Sequence, residues 1–175
     1  MKKHLFLFPL FSLFFSCSLK YDEYVDSEDK VPEFVFQNAV VNRYENNAVT
    51  LEVSAELLEQ YKGKSETYAK NLSFKAYEDG KVTTEGSCGL LMTDTDKEFY
   101  ELYDDIKLYN NKDKLNFFAD VLKWNAKTEQ LTSGRGDMVR IEKDDAVIRG
   151  TGFSASGVSQ TFSFRGTVTG EIESK

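Results

Sequence analysis

Few residues of this 175-residue chain have side chains suited to catalysis or metal binding. The only histidine is His4, and the two cysteines are Cys17 and Cys88. His4 lies in a segment that resembles an export signal, so its removal would leave no imidazole for a catalytic triad or a histidine metal site. Cys88 alone cannot form an internal disulfide and is expected to be a small buried hydrophobe. The sequence therefore predicts a protein that is not an enzyme and uses no cofactor.

Clustered carboxylates offer other candidate sites, and each has a simpler explanation. Asp94-Thr95-Asp96-Lys97-Glu98 and Asp104-Asp105 have the oxygen ligands that Ca²⁺ prefers, but they lack the order of an EF-hand loop and read as exposed acidic turns. Paired carboxylates also serve glycoside hydrolysis, but nothing in the sequence sets two of them across a cleft. Arg135-Gly136-Asp137 would suit adhesion, yet it lies in a predicted turn. We therefore predict no metal site and no catalytic residues.

The N-terminus has the order of residues typical of a bacterial lipoprotein signal. Basic residues at 2 and 3 precede an apolar stretch from Leu5 to Phe15, which is too short to span a bilayer. Ser16 then precedes Cys17, so residues 1–16 are predicted to be removed and Cys17 to be acylated. The alternative is a plain secretory signal with an incidental cysteine. Residues 17–31 are predicted to form a flexible acidic tether with a reach of about 20 Å.

The charge of the chain argues against nucleic acid as a partner. The formal net charge is -7, and loss of Lys2 and Lys3 with the signal would move it to -9. An acidic surface repels nucleic acid and is not steered to anionic membranes.

From residue 32 to residue 175 the pattern predicts one all-β domain. Val49-x-Leu51-x-Val53 and Leu72-x-Phe74-x-Ala76 alternate apolar with other residues, as half-buried strands do. Asp79-Gly80 then predicts a hairpin turn, and Ser154 to Gly157 predicts another turn. Turn signals every eight to twelve residues are typical of a β-sandwich or barrel. Further predicted strands contain Phe34-Val35-Phe36, 82–92, Phe99-x-x-Leu102, Ile106-x-Leu108, Leu115-x-Phe117, Leu122-x-Trp124, Val139-x-Ile141, Val147-Ile148 and Phe162-x-Phe164.

Two stretches fit this pattern less well. Ser54 to Lys62 would also form a short helix, capped by Ser54, as an alternative to a strand. Between Leu115 and Trp124 the apolar positions change from odd to even numbers, so a bulge or break is expected near Ala119-Asp120.

The second half of the chain resembles the LptC family through the order of several short motifs. Leu122-Lys123-Trp124 is followed by Leu131-Thr132-Ser133, then by Val139-Arg140-Ile141, and finally by Ile148-Arg149-Gly150-Thr151-Gly152-Phe153. Phe74-Lys75-Ala76-Tyr77, ahead of Asp79-Gly80, resembles the first hairpin of that family. The resemblance extends over residues 34–171, and Cys17 departs from the transmembrane anchor of better-known members.

The resemblance implies a fold and a role. The fold would be an open β-jelly roll, a twisted two-sheet antiparallel sandwich of the LptA/LptC (OstA-like) type. The protein would be held in the periplasm at the inner membrane. It would accept lipopolysaccharide or a related glycolipid from an inner-membrane ABC transporter and pass it to an LptA-like periplasmic protein by strand pairing. ATP hydrolysis in the transporter would supply the energy.

Large apolar side chains are the candidate lining of a lipid groove, although each would equally suit a closed core. They are Phe34, Phe36, Leu51, Val53, Phe74, Leu108, Phe117, Trp124, Ile141, Ile148, Phe153 and Phe162. Glycines near the C-terminus are candidates for a partner-contact edge or, alternatively, for turn geometry. They are Gly150, Gly152, Gly157 and Gly166.

The leading hypothesis is a lipid carrier and bridge, and two others remain open. The main rival is a structural or adhesive surface lipoprotein with a closed β-sandwich. A lipoprotein that binds a soluble ligand would require polar groups converging inside the fold. An open apolar trough would favour the carrier, and a filled core would favour the rival.

Overall fold

The computed structural model describes residues 31–61, 65–159 and 161–172. Every helix or strand in these ranges is a β-strand. No helix among the described residues is long and apolar enough to cross a membrane. The predicted signal peptide, Cys17 and all of the predicted tether but Val31 lie outside the described residues.

Six long strands form an antiparallel meander in chain order. They are β1 Pro32–Glu45, β2 Ala48–Tyr61, β3 Glu66–Glu78, β4 Lys81–Asp94, β5 Phe99–Asn110 and β6 Leu115–Asn125. The predicted turn at Asp79-Gly80 joins β3 to β4, and both of its residues have positive φ, 51° and 72°. Two central residues with positive φ match the twist of a hairpin, which confirms this turn.

After β6 the sheet divides into two branches. The remaining strands are β7 Gln130–Thr132, β8 Met138–Lys143, β9 Ala146–Thr151, β10 Phe153–Ser156, β11 Thr161–Phe164 and β12 Val168–Ile172. The first half of β6 pairs with β8, which leads to β9 and β12. The second half of β6 pairs with β7, which leads to β10 and β11. The two series are called the β8 branch and the β7 branch below.

The sheet does not close into a barrel within the described residues. β1 pairs only with β2, β11 only with β10, and β12 only with β9, so each of these three strands has a free edge. The fold is therefore all-β and antiparallel with an open sheet, as predicted, and it is not a closed sandwich.

The long strands change face along one line across the sheet. On β6 the buried residues Ala119 and Leu122 are three positions apart, whereas an unbroken alternation would separate them by two. On β3 the buried residues Ala69 and Leu72 show the same spacing. We call this line the crease, and the pairing register places on it Asn38, Glu56, Asn71, Gly89, Asp104, Asp105 and Asp120.

Left-handed backbone at the crease explains the change of face. Asn38, Asn71, Asp104 and Asp105 have φ between 47° and 64°. Asparagine and aspartate tolerate this region better than other side chains do. The face change expected near Ala119-Asp120 is thus confirmed. The strand β6 itself is unbroken, and the shift in pairing register lies in β5, opposite Asp120.

Two local alternatives were wrong. Ser54 to Tyr61 is not helical but belongs to β2, because β1 and β3 pair with this stretch on both sides. Residues 62–64 lie outside the described residues. Ser154 to Ser156 is not a turn but most of β10, because β7 and β11 pair with it on both sides. In both stretches, pairing with strands on either side determines the secondary structure.

The buried core follows the crease from Ala55 of β2 across the meander to strands β8 and β10 of the two branches. Its largest fully buried side chains are Phe153, Ile106, Leu122 and Val139. Phe153 is 1% exposed, and its ring packs against those of Phe117 and Phe164, with centroids 6.0 and 5.4 Å away. Aromatic pairs at such distances stabilise a core beyond their area burial, so this cluster joins the branches to the meander.

Candidate functional site

The inner face of the sheet carries continuous rows of apolar side chains. The pairing register aligns one row across the meander and the β8 branch, formed by Val53, Phe74, Gly86, Leu108, Phe117, Ile141 and Ile148. A β-carbon at Gly86 would lie 2.7 Å from Leu108 Cδ2 and 2.8 Å from Phe74 Cε1. The glycine therefore lets its two large neighbours close over the strand, and the row remains apolar throughout.

A second apolar row runs on the other side of the crease. It joins Trp124 of β6 to Leu131, Ala155 and Phe162 of the β7 branch. The alternation places Phe34 and Phe36 of β1 on the same face, and their rings stack with centroids 6.2 Å apart. Across the meander the row through Phe34 includes Gln60, Thr67 and Thr93, whereas the next row toward the crease is apolar throughout and consists of Phe36, Leu58, Ala69, Leu91, Leu102 and Leu122.

Between the two branches this face opens into a groove of about 490 Å³. Its apolar walls are Leu115, Ile141, Ala146, Ile148, Phe162 and Ile172, and its rim carries Lys143, Asp144 and Asp145. We call it the branch groove. Its size lies within the range of small-molecule sites, and its lining is the kind that accepts hydrocarbon rather than polar ligands.

The predicted lining residues all lie on the inner face, and burial and position divide them into four groups. Phe153 and Ile141 are 1% and 3% exposed and belong to the core. Leu51, Val53, Phe74, Leu108, Phe117 and Trp124 are half-buried, and Ile148 and Phe162 line the branch groove. Phe34 and Phe36 are 48% and 50% exposed at the free edge of β1. The groove assignment itself stays a prediction for all twelve.

Three apolar walls of the branch groove, Leu115, Ala146 and Ile172, were absent from the predicted lining. Leu115 lies two positions before Phe117 on the same face, so strand alternation would have identified it. Ile172 lies in β12, which reaches the groove through its pairing with β9. No local signal in the sequence indicates that pairing.

The partner contact of the four C-terminal glycines stays a prediction, and the structure places none of them in a strand with a free edge. Gly150 is buried inside the β8 branch, paired with Val139 and Val168. Gly152 is buried with a φ of 64°, and Gly157 and Gly166 lie in turns. Added β-carbons would collide with Phe164 at Gly150, with Glu129 at Gly157 and with Thr151 at Gly166. Within the described residues, these glycines serve close packing and turn geometry.

The ionisable groups with shifted pKa values serve structure and not chemistry. Burial raises the pKa of the Cys88 thiol to about 11. On the outer face, burial would raise the pKa of Glu101, but hydrogen bonds from Lys123, at 2.6 Å, and from Tyr103 hold it below its usual value. The bond to Glu101 in turn raises the pKa of Tyr103 to about 12. No thiolate or general base results from these shifts.

The acidic clusters and the Arg135-Gly136-Asp137 tripeptide form turns and bulges. Asp94 accepts hydrogen bonds from the backbone N–H and the Nζ of Lys97, at 3.0 and 2.6 Å, across the turn after β4. Asp137 accepts one from the Gly134 N–H, at 2.8 Å. Among the described residues no three cysteine, histidine or carboxylate side chains are grouped so that they would hold a metal ion.

Comparison with known proteins identifies a family and similar solved structures. No curated protein sequence matches the chain. The structure of LptH from Pseudomonas aeruginosa, titled the LptA homologous periplasmic component of the conserved lipopolysaccharide transport device, is similar at 10% identity. The match covers 85% of this chain and 99% of that one, with a TM-score of 0.34.

The family described as lipopolysaccharide-assembly, LptC-related, matches residues 6–173 of the chain. The match includes every described strand, and it agrees with the motif order of the second half. The chain therefore belongs to the LptC-related family of lipopolysaccharide-assembly proteins, which act in periplasmic lipopolysaccharide transport as bridge components and not as enzymes.

Proposed function

We propose that this protein accepts lipopolysaccharide or a related glycolipid from an inner-membrane ABC transporter and passes it to an LptA-like periplasmic protein. The observation that carries this proposal is the open apolar inner face, which widens into the branch groove. The lipid would lie along this face with its acyl chains between the two branches. The transporter would supply the energy, and this chain would supply only a path.

The hydrophobic effect supplies the affinity that such a path needs. Each CH₂ group moved from water to an apolar surface contributes about 0.8 kcal/mol. Within the residues that the structure describes, no other strand covers the groove walls Ile148 and Phe162, and Phe162 is 51% exposed. An acyl chain would cover these side chains, so cargo and protein would each lose exposed apolar surface.

Strand pairing with neighbouring proteins is supported by the free edges of the sheet. β1 offers a 14-residue edge on which Phe34, Val35 and Phe36 are about half exposed. β11 and β12 offer two more edges at the other side of the molecule. Exposed edges invite pairing by another chain, which natural proteins otherwise block. We propose that partners on the two sides extend the apolar face into a continuous path.

Lipidation of Cys17 would hold the domain at the inner membrane. This part of the proposal rests on the order of basic, apolar and small residues before Cys17. The short chain between Cys17 and β1 would keep the sheet close to the membrane and to the transporter.

Photocrosslinking in living cells tests the lipid path. A benzophenone side chain is placed at Phe36 or at Phe162 on the inner face. The matched control for Phe36 is Val35, which is adjacent, equally exposed at 51%, and on the opposite face. The matched control for Phe162 is Ser163, the next residue along β11. We expect glycolipid adducts at Phe36 and Phe162 and none at Val35 or Ser163.

Absence of adducts at both inner positions, in protein that is folded and exported, would refute the carrier function. Equal adducts on both faces would also refute it, because they would indicate membrane proximity alone. In either case a surface lipoprotein with a structural or adhesive role would become the better hypothesis.

A further inference from the structure

The outer face of the sheet contains a polar hollow of about 280 Å³ over strands β2 to β5. Three serines form its floor, Ser54 of β2, Ser73 of β3 and Ser87 of β4, and the pairing register aligns them side by side. The hollow exists because these short side chains are bordered by longer ones. Neighbouring strands are about 4.8 Å apart, so the three hydroxyls span about 10 Å.

Charged side chains border the serine floor on one side. Glu52, Lys75 and Glu85 form the next cross-strand row, with Lys75 directly between the two carboxylates. Together the three carry one net negative charge. The hollow therefore offers hydroxyls that both donate and accept hydrogen bonds, carboxylates that accept them, and one ammonium group that donates.

These polar groups are not engaged with one another. In the described part of the chain, no hydrogen bond or ion pair involves the three serine hydroxyls, Glu52, Lys75 or Glu85. Elsewhere on the same outer face charged side chains are paired, as in Arg140 with Glu142 at 2.6 Å and Arg149 with Glu171 at 3.0 Å. Other charged side chains of that face, such as Glu59 and Lys70, are also unpaired within the described residues, so the hollow is distinguished by its shape and its row of serines.

An aromatic ring completes the border. Tyr109 of β5 lies opposite Glu85, and its ring is held edge-on by Phe118, with centroids 6.1 Å apart. Its hydroxyl makes no hydrogen bond in the described residues. A fixed aromatic ring beside unengaged hydrogen-bonding groups suits a ligand that has both C–H faces and hydroxyls.

We infer that this hollow binds an uncharged oligosaccharide. A sugar ring would place hydroxyls on the serine floor and on Glu52, Lys75 and Glu85, and a C–H face against Tyr109. The net negative charge of the border disfavours phosphorylated and other anionic sugars. The volume suits one or two sugar rings of a longer glycan lying along the open sheet.

The glycan is not the sugar portion of a lipid held in the branch groove. The serine row alternates with Val53, Phe74 and Gly86, which face inward, so the hollow and the apolar rows lie on opposite faces of the sheet. The inference therefore does not rest on the proposed lipid path. It adds a contact with a separate, uncharged glycan.

Titration of the isotope-labelled full chain with uncharged glycans, followed by NMR, tests the inference. The ligands are tetramers of N-acetylglucosamine and of glucose. We expect at least one to give saturable shifts of the amides of Ser54, Ser73, Ser87 and Tyr109. The triple variant Ser54→Ala, Ser73→Ala, Ser87→Ala should bind about tenfold more weakly or worse, because three ordinary hydrogen bonds are lost. The control Ser163→Ala, on the outer face of β11, should bind normally.

The variant Ser73→Tyr provides the same test by filling the hollow at an exposed position, should the triple variant melt early. Three results would overturn the inference. They are no saturable shift with either tetramer, undiminished binding by both the triple variant and Ser73→Tyr, and tighter binding of a phosphorylated oligosaccharide than of both uncharged tetramers.

Discussion

The ring of Phe164 in β11 lies against the backbone of Gly150 in β9, where a β-carbon on the glycine would be 2.6 Å from the ring Cδ1. β9 belongs to the β8 branch and β11 to the β7 branch, so this contact holds the two branches together. Phe164 also packs on Phe153, the largest fully buried side chain. The missing side chain at Gly150 is thus what allows the Phe164 ring to pack between the two branches.

Gly150→Ala is expected to destabilise the protein. The added methyl group must displace the Phe164 ring, and overpacking of this kind costs about 1–3 kcal/mol. Urea unfolding, followed by the fluorescence of Trp124, measures the change. The control is Gly170→Ala in the adjacent strand β12, where the nearest atom to the new methyl group is the Val147 carbonyl oxygen at 3.9 Å. Equal losses in both variants would show that the branches are not held by this contact.

Two phenylalanines of the same cluster should respond differently to truncation. Phe153 is 1% exposed, so Phe153→Ala leaves a cavity and should cost about 3–5 kcal/mol. Phe162 is 51% exposed on the branch groove, so Phe162→Ala should cost clearly less. Unfolding free energies of both variants check this. A loss at Phe162 as large as that at Phe153 would mean that Phe162 belongs to the core and not to an open groove wall.

Local sequence signals predicted the strands but not the division of the sheet. Alternation located the strands of the meander, and Asp79-Gly80 located a hairpin. The pairing of β6 with β8 along one half and with β7 along the other joins residues up to 28 positions apart, as Leu115 with Lys143. No property of β6 itself specifies two sets of partners. Only the change of apolar phase at Asp120 indicated that its two halves differ.

The crease should depend on left-handed backbone at Asn71. Asn71 has a φ of 47°, and its side chain also bonds Glu56. Asn71→Gly and Asn71→Val both lose that hydrogen bond. The difference between their free energies of unfolding therefore reports the strain of the backbone alone. A β-branched residue in this region is strained by about 1–2 kcal/mol, whereas glycine adopts it freely. Thermal and urea unfolding should therefore rank the valine variant below the glycine variant, and the reverse order would refute the structural role of the crease.

The inward-facing residues of the candidate site were predictable where the alternation within a single strand was enough to identify them. Ile141 and Phe162 each lie between two polar residues, so the alternation in their strands predicted an inward face. For the four C-terminal glycines the sequence left a partner contact and turn geometry open, because glycine occurs in both and composition alone does not separate these uses. The role of Gly150 could be recognised only from its contact with Phe164, which lies 14 residues later in the chain and in the other branch.

Cys88 should react slowly with alkylating reagents while the protein is folded. It is 4% exposed, and burial raises the pKa of its thiol from 9.0 to about 11. The thiolate is the reactive species, and at pH 8 it would be about one part in a thousand. A Cys17→Ser variant leaves Cys88 as the only cysteine. Labelling should be slow in buffer and fast in urea, and fast labelling of the folded protein would contradict the burial.

The raised pKa of the Cys88 thiol predicts that the free energy of unfolding falls in alkaline solution. Between about pH 9 and pH 11 the unfolded chain loses the Cys88 proton while the folded chain keeps it. The unfolded state then binds fewer protons, so the free energy of unfolding decreases as pH rises through this window. Tyr103, whose pKa is raised to about 12, adds a decrease of the same sign at higher pH. Cys88→Ala removes only the first contribution, so its urea midpoint should fall less steeply from pH 9 to pH 11 than that of the parent chain. Parallel curves would show that the folded and unfolded thiols titrate alike.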